Sequence, residues 1–135
     1  MIVISDIDGT LAKRVNRGPF EWNRLLDDEP NAAVVEVLQA LHDRGHEIVF
    51  ISGRTEDLRE QTLLWLSRNI GILGRLLMRG SKDDRTDDVV KAELFANLNV
   101  AKEDVLFVID DRDRVVKMWR ERLGLTCFQV AEGNF

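Results

Sequence analysis

A chain of 135 residues, 44% hydrophobic and 32% charged, is long enough for one domain with its own core. Its single cysteine, Cys127, excludes an intrachain disulfide framework, and no apolar run is long enough to span a membrane. A net charge of −5 excludes a surface that coats nucleic acid broadly, though not a substrate gripped at one end by a few arginines. The N-terminus lacks a basic flank followed by a cleavable apolar segment, so no signal peptide and a cytoplasmic location are expected.

Residues 2–6 (Ile-Val-Ile-Ser-Asp) read as a buried parallel strand. Ala12 to Glu29 reads as a polar, irregular segment broken at Gly18-Pro19, long enough to serve as a lid. Pro30-Asn31 opens a helix that runs through Val34, Val35, Val37, Leu38 and Leu41 and stops at Gly45. Glu47–Ile51 is the second strand and ends at Ser52-Gly53-Arg54. Thr55 is placed as the N-cap of a helix reaching about Asn69. Arg75–Arg79 is a third strand, Gly80 to Arg85 a loop, and Asp87–Leu98 a helix. Asp104 to Ile109 contains a fourth strand ending at Asp110-Asp111, and Val115 to Leu123 forms a helix stopped by Gly124. Thr126–Val130 is the last strand and carries Cys127 as a packed thiol. The alternation predicts an α/β fold of three layers, a central parallel sheet with helices on both faces.

Three strands therefore end in polar residues: Asp6 and Asp8, Ser52, and Asp110 with Asp111. In a parallel sheet these ends share one edge, where ligands bind. Two carboxylates as close as Asp6 and Asp8 repel unless a cation or proton lies between them. The pair reads as a metal-assisted nucleophile and acid/base couple. The plainer alternative is a strand running into an acidic Asp-Gly turn. Ser52 can donate to a phosphate oxygen and Gly53 allows close approach of backbone, although Ser-Gly-Arg alone also suits a turn. Lys91 follows Asp87 by one helical turn, either as a solvent pair or as a cation that Asp87 aims at the site. Arg17, Arg54, Arg79 and Arg85 fall in loops or at strand ends, where guanidinium forks suit phosphate oxygens. These residues alone reach a metal-dependent phosphomonoesterase.

Asp6-Ile7-Asp8-Gly9-Thr10, Ser52, Lys91 and Asp110-Asp111 resemble the four motifs of the haloacid dehalogenase superfamily. Arg17-Gly18-Pro19, Ser52-Gly53-Arg54, the run from Arg85 to Lys91, Ile109 to Arg112, Val116 to Arg120 and Gln129 to Phe135 resemble, more specifically, the 3′-phosphatase domains of bacteriophage polynucleotide kinase/phosphatases. The resemblance covers nearly the whole chain.

It implies a single domain over residues 1–135, a haloacid dehalogenase-type sheet and a minimal cap. It implies removal of a terminal 3′-phosphate from DNA or RNA. Asp6 would be the nucleophile and Asp8 the general acid and base, with Ser52 and Lys91 completing the catalytic set. Thr10, Arg17, Ser52, Gly53, Arg54, Arg79, Arg85 and Asp87 would contact substrate, Asp87 also orienting Lys91. Mg²⁺ would be held by Asp6, by Asp8 through its backbone carbonyl, and by Asp110 or Asp111. No membrane partner is expected, and a homodimer is an open assembly state. The bifunctional family members carry a kinase domain, but this chain lacks a Gly-x-x-x-x-Gly-Lys-Ser/Thr loop, so no 5′-kinase activity is expected. The stretch from Arg54 to Arg79 is shorter than in the family. Two rivals stand beside this reading: a phosphatase of nucleotides or small metabolites, and a receiver-like domain that keeps its aspartyl-phosphate as a signal.

Overall fold

β1 (Ile2–Ser5) is apolar on both sides because it lies at the centre of the sheet, and all four of its residues are buried. The computed structural model describes residues 1–135. A short antiparallel pair, β2 (Ala12–Lys13) and β3 (Glu29–Pro30), frames a kinked 3₁₀ helix over Trp22–Asp27. There follow α1 (Ala32–Asp43), β4 (Glu47–Thr55), α2 (Arg59–Asn69), β5 (Arg75–Arg79), α3 (Asp87–Leu98), β6 (Val105–Asp110), α4 (Asp113–Lys117) and β7 (Cys127–Gln129). The five long-range strands are parallel, in the order β5-β4-β1-β6-β7.

Successive residues of β1 point to opposite faces, which splits the core in two. Val3 joins Leu38 of α1, Trp65 of α2, Phe50 and Phe107 on one face. Ile4 joins Phe95 of α3, Val115 of α4, Val49 and Val108 on the other. On this second face the Phe95 and Trp119 rings meet edge to face at 5.9 Å. The three-layer α/β/α expectation holds.

The strand order explains where a site forms. The chain steps from β1 outward to β4 and β5, then returns through α3 to β6 on the other side of β1. The order reverses between β1 and β6, which opens a crevice at their C-terminal ends. Asp6 follows one strand and Asp110 ends the other.

Four expectations change. Ser52, Gly53 and Arg54 lie within β4 and not beyond its end. The register to β5 slips between Ser52 and Thr55, a bulge of the kind that re-aims side chains beside active sites. Thr55 precedes a 3₁₀ turn over Glu56–Leu58, and its side chain caps nothing. The segment from Ala12 to Glu29 is not irregular throughout. Buried Leu25 and the Trp65 indole, which donates to the Asp28 carbonyl at 2.9 Å, pin it to the core. Beyond α4 the expected helix continues as a π-turn over Met118–Arg122.

Candidate active site

The turn after β1 builds the first part of the site. The Ile7 carbonyl accepts N–H bonds from Thr10, Leu11 and Ala12 at 3.2, 2.9 and 2.9 Å, curling the chain back on itself. Gly9 takes φ +80°, and a Cβ there would lie 2.1 Å from Asp111 Oδ2. This curl turns Thr10 inward. Its hydroxyl lies 3.2 Å from Asp6 Oδ2 and 3.3 Å from Asp111 Oδ1, between the two carboxylates.

Lys91, delivered by α3, completes a buried cluster. Its Nζ donates to Asp6 Oδ1 at 2.8 Å and to Asp110 Oδ2 at 2.9 Å. The Trp119 indole donates to the same Asp110 oxygen at 3.2 Å, and the Asp111 and Arg112 amides approach the other at 2.9 and 3.5 Å. Carboxylate oxygens of Asp6, Asp110 and Asp111 lie within 4.8 Å of one another. Three buried carboxylates thus face one ammonium. Burial, reinforced by Asp110, pushes the Asp6 carboxyl well above the usual carboxylate range despite Lys91. Burial raises Asp111 as well. Burial alone would lower Lys91, but Asp110 and Asp6 outweigh it and hold its ammonium charged.

Asp8 points away from this cluster. Its carboxylate receives the Arg54 fork, with Arg17 Nη2 3.7 Å from Oδ1. Behind them Asp28 accepts both Nε and Nη2 of Arg17 at 2.8 Å and lies 3.5 Å from Arg54 Nη2. Arg54 also donates to Thr62 Oγ1 at 3.1 Å, and the guanidinium carbons of Arg17 and Arg54 sit 4.6 and 5.3 Å from the Trp22 ring centroid. Both arginine side chains are 1% exposed, so Asp8 and Asp28 occupy their forks. Ser52 is fully buried, its Oγ accepting the Arg54 N–H at 3.1 Å, which leaves its own proton to donate.

A third layer centres on Asp87. It pairs with Arg79 and, at 2.8 Å, with Arg112 Nη1. No hydrogen bond or ion pair joins Asp87 to Lys91, the pair from which an orienting role was expected; Lys91 is held by Asp6 and Asp110. Arg79 also donates to the Gly53 carbonyl at 2.8 Å, and a Cβ at Gly53 would lie 2.7 Å from Asp87 Oδ1. Arg85 lies further out, paired with Asp83 and Glu93.

These layers line one open cavity of about 910 Å³ that reaches Asp6, Asp8, Lys91 and Asp111. Asp28 and Trp22 are neighbours of the site that the sequence reading did not single out, because distant segments bring them there. Arg112, Trp119 and Phe135 lie inside the blocks that carry the family resemblance but had no role assigned to them. No helix is long and apolar enough to cross a membrane.

The family model described as the polynucleotide kinase PNKP phosphatase domain matches residues 1–135. A protein of Autographa californica nuclear polyhedrosis virus, named as a bifunctional polynucleotide kinase/RNA ligase, is 36% identical over 133 residues, which is 95% of this chain and 19% of that protein. A Bacillus cereus protein named as a nucleotidase is 42% identical over 55 residues, 36% of this chain and 29% of its own length. Among solved structures, a chain of the Pnkp1/Rnl/Hen1 RNA repair complex superposes with TM-score 0.92 at 39% identity, over 98% of this chain and 43% of that one. A class C acid phosphatase from Bacillus anthracis, at 16% identity and TM-score 0.56 over 81% of this chain and 51% of its own, shares the fold. The chain therefore spans about a fifth of its viral relative and less than half of the repair-complex chain.

Proposed function

The chain belongs to the polynucleotide kinase PNKP phosphatase-domain family and is a phosphatase of the haloacid dehalogenase type, and on that premise we propose that it removes the terminal 3′-phosphate from DNA or RNA ends. The observation that carries this substrate class is the extent of the family match, residues 1–135, which takes in the terminal block as well as the four motifs. The repair complex to which its solved relative belongs supports a polynucleotide end as the substrate. In this reading residues 1–135 are one phosphatase domain.

The donor set fits Mg²⁺. It offers oxygen only, and three clustered carboxylates against one ammonium leave negative charge that a hard cation would balance. Asp6 and Asp111 would hold the ion by their side chains and Asp8 by its carbonyl. The Asp110 oxygens are already taken by Lys91, Trp119 and backbone amides, so Asp110 serves to fix Lys91. When bound, Mg²⁺ offsets the repulsion between a carboxylate nucleophile and a phosphate dianion.

The chain's own residues then divide the work. An Asp6 oxygen attacks phosphorus, the bond from phosphorus to the 3′-oxygen breaks, and Asp8 gives that oxygen its proton. Water next attacks the aspartyl-phosphate, Asp8 takes its proton, and inorganic phosphate leaves with Asp6 restored. Lys91 and the Ser52 hydroxyl steady the transferring oxygens, and Thr10 holds Asp6 and Asp111 in register. To act, the Asp8 carboxyl has to loosen at least one of its bonds to Arg54. Arg17 and Arg54 fix Asp8 for this role, and Arg79 and Asp87 fix the neighbouring wall; Arg85 meets substrate at the rim.

Release of phosphate from a 3′-phosphorylated oligonucleotide with Mg²⁺, lost on chelation, tests the reading. The segment similar to a nucleotidase favours a second reading, a mononucleotide phosphatase. A kcat/KM for mononucleotides at or above that for the oligonucleotide would replace the first by the second.

A further inference from the structure

Removing a phosphate needs far less space than the cavity offers, and one part of its lining has no task in the chemistry. Phe135 lines the cavity with its side 65% exposed. It is not a loose ring. The Arg112 guanidinium lies 4.6 Å from its centroid, and Asp87 holds Arg112 Nη1 at 2.8 Å. The segment that presents it is tied down. The Gly133 carbonyl accepts the Asp113 N–H at 2.8 Å, and Gln129 Nε2 donates to the Asp111 carbonyl at 2.9 Å. Gly133 sits so close that a Cβ there would fall 2.0 Å from the Asp111 carbonyl oxygen. Arg112 is the neighbour of Asp111, so the ring stands one arginine side chain from the carboxylate cluster.

We infer that the Arg112–Phe135 stack is the platform on which the terminal nucleobase of the substrate lies, an inference that rests on the polynucleotide reading above. The chemistry is that of sequence-tolerant single-strand recognition, in which an aromatic face takes any base and an adjacent guanidinium adds a cation–π contact. Phe20 also lines the cavity and is 84% exposed, but no partner fixes its ring.

The test compares two 3′-phosphorylated oligonucleotides that differ only in the last residue, one bearing a base and one an abasic tetrahydrofuran. The readout is the ratio of their KM values. In the wild-type protein the abasic substrate should bind about 5- to 150-fold more weakly, the worth of one base–aromatic stack. Phe135→Ala should bring the ratio near one, Phe135→Trp should keep it, and Phe20→Ala should leave it as in the wild type. A generally damaged fold would raise both KM values together and preserve the ratio. A wild-type ratio near one, or a ratio that Phe135→Ala leaves intact, overturns the platform alone. Hydrolysis of p-nitrophenyl phosphate with no turnover of either oligonucleotide overturns the polynucleotide reading, and the platform with it.

Discussion

Arg54 faces Asp8 through two parallel hydrogen bonds, Nε to Oδ2 and Nη2 to Oδ1, each 2.8 Å long. Forked pairing of this kind fixes a carboxylate in direction as well as distance. Arg54→Lys keeps the charge and loses the fork, so one charge-assisted bond to Asp8 disappears. Turnover of a 3′-phosphorylated oligonucleotide should fall about 10- to 100-fold, the worth of a hydrogen bond to a charged group. Near-wild-type kcat in this variant would mean that Asp8 is positioned by other means.

The same network predicts a stability effect centred on Asp28. Its carboxylate is 1% exposed and lies against both Arg17 and Arg54. Asp28→Ala leaves two buried guanidiniums sharing the half-exposed Asp8, and should cost roughly 3–5 kcal/mol, as when one partner of a buried pair is removed. Arg54→Ala should cost less, since Arg17 still neutralises Asp28. Urea denaturation of the two variants measures this directly; equal and small shifts in midpoint would show that water reaches the network.

The carboxylate cluster predicts a response to cations. Burial and Asp110 together raise Asp6, so the cluster is strained by unbalanced charge. Asp6 therefore takes up a proton more readily in the folded chain than in the unfolded one. By linkage its contribution to stability is full below the ordinary carboxylate range and is lost as pH rises through its raised folded value. Mg²⁺ should raise the melting temperature at neutral pH and restore activity lost to a chelator. A Mg²⁺-independent melting temperature and full activity in chelator would remove the metal from the reading.

How much of this was legible beforehand depends on the range of the interactions. α3 and β5 were placed to the residue because local signals bound them: helical spacing in Val89, Val90, Leu94 and Phe95 marks α3, and the polar loop from Gly80 to Arg85 separates it from β5. The convergence of Asp6 with Asp110 and Asp111 was legible too, since strand ends in a parallel sheet share an edge, whereas Lys91 reaches them from α3. The Ala12 to Glu29 segment was not, because the pairing of Arg17 with Asp28 closes it on itself and the indole of Trp65 pins it from α2. Asp87 and Lys91 show the limit of spacing arguments. One helical turn relates them in sequence, yet partners from elsewhere in the fold draw them apart, Arg79 and Arg112 on one side, Asp6 and Asp110 on the other. The π-turn after α4 carried no signal in the apolar spacing; it brings Trp119 where its indole meets Asp110.

Cys127 gives a prediction away from the site chemistry. Burial, with Asp110 nearby, pushes its thiol up to about 12. The reactive thiolate is thus scarce in the folded protein at pH 8. Iodoacetamide should label Cys127 slowly in buffer and rapidly in urea, as read by intact mass. Equal rates in the two conditions would show a thiol open to solvent.

The two carboxylates at the end of β1 should fail differently as Asn variants. Asp6→Asn removes the nucleophile, so no aspartyl-phosphate can form. Asp8→Asn retains Asp6 and its contacts with Lys91 and Thr10. It loses the proton donor for the leaving oxygen and the base for the water step. A 3′-hydroxyl leaves poorly without a proton, and loss of general acid–base catalysis costs on the order of 100- to 10,000-fold. The leaving group of p-nitrophenyl phosphate needs little protonation. The first step in Asp8→Asn should therefore be slowed much more on the oligonucleotide than on the activated ester. With the ester, phosphoenzyme should accumulate because its hydrolysis also needs Asp8. Asn at position 8 cannot accept the Arg54 fork as a carboxylate does, so Arg54→Lys on the ester separates that positioning effect from the loss of the proton donor. Rapid acid quench followed by intact-mass measurement reads the phosphoenzyme. Its appearance in Asp6→Asn would assign the nucleophile to another residue, and equal slowing of the first step on both substrates in Asp8→Asn would remove Asp8 as the acid.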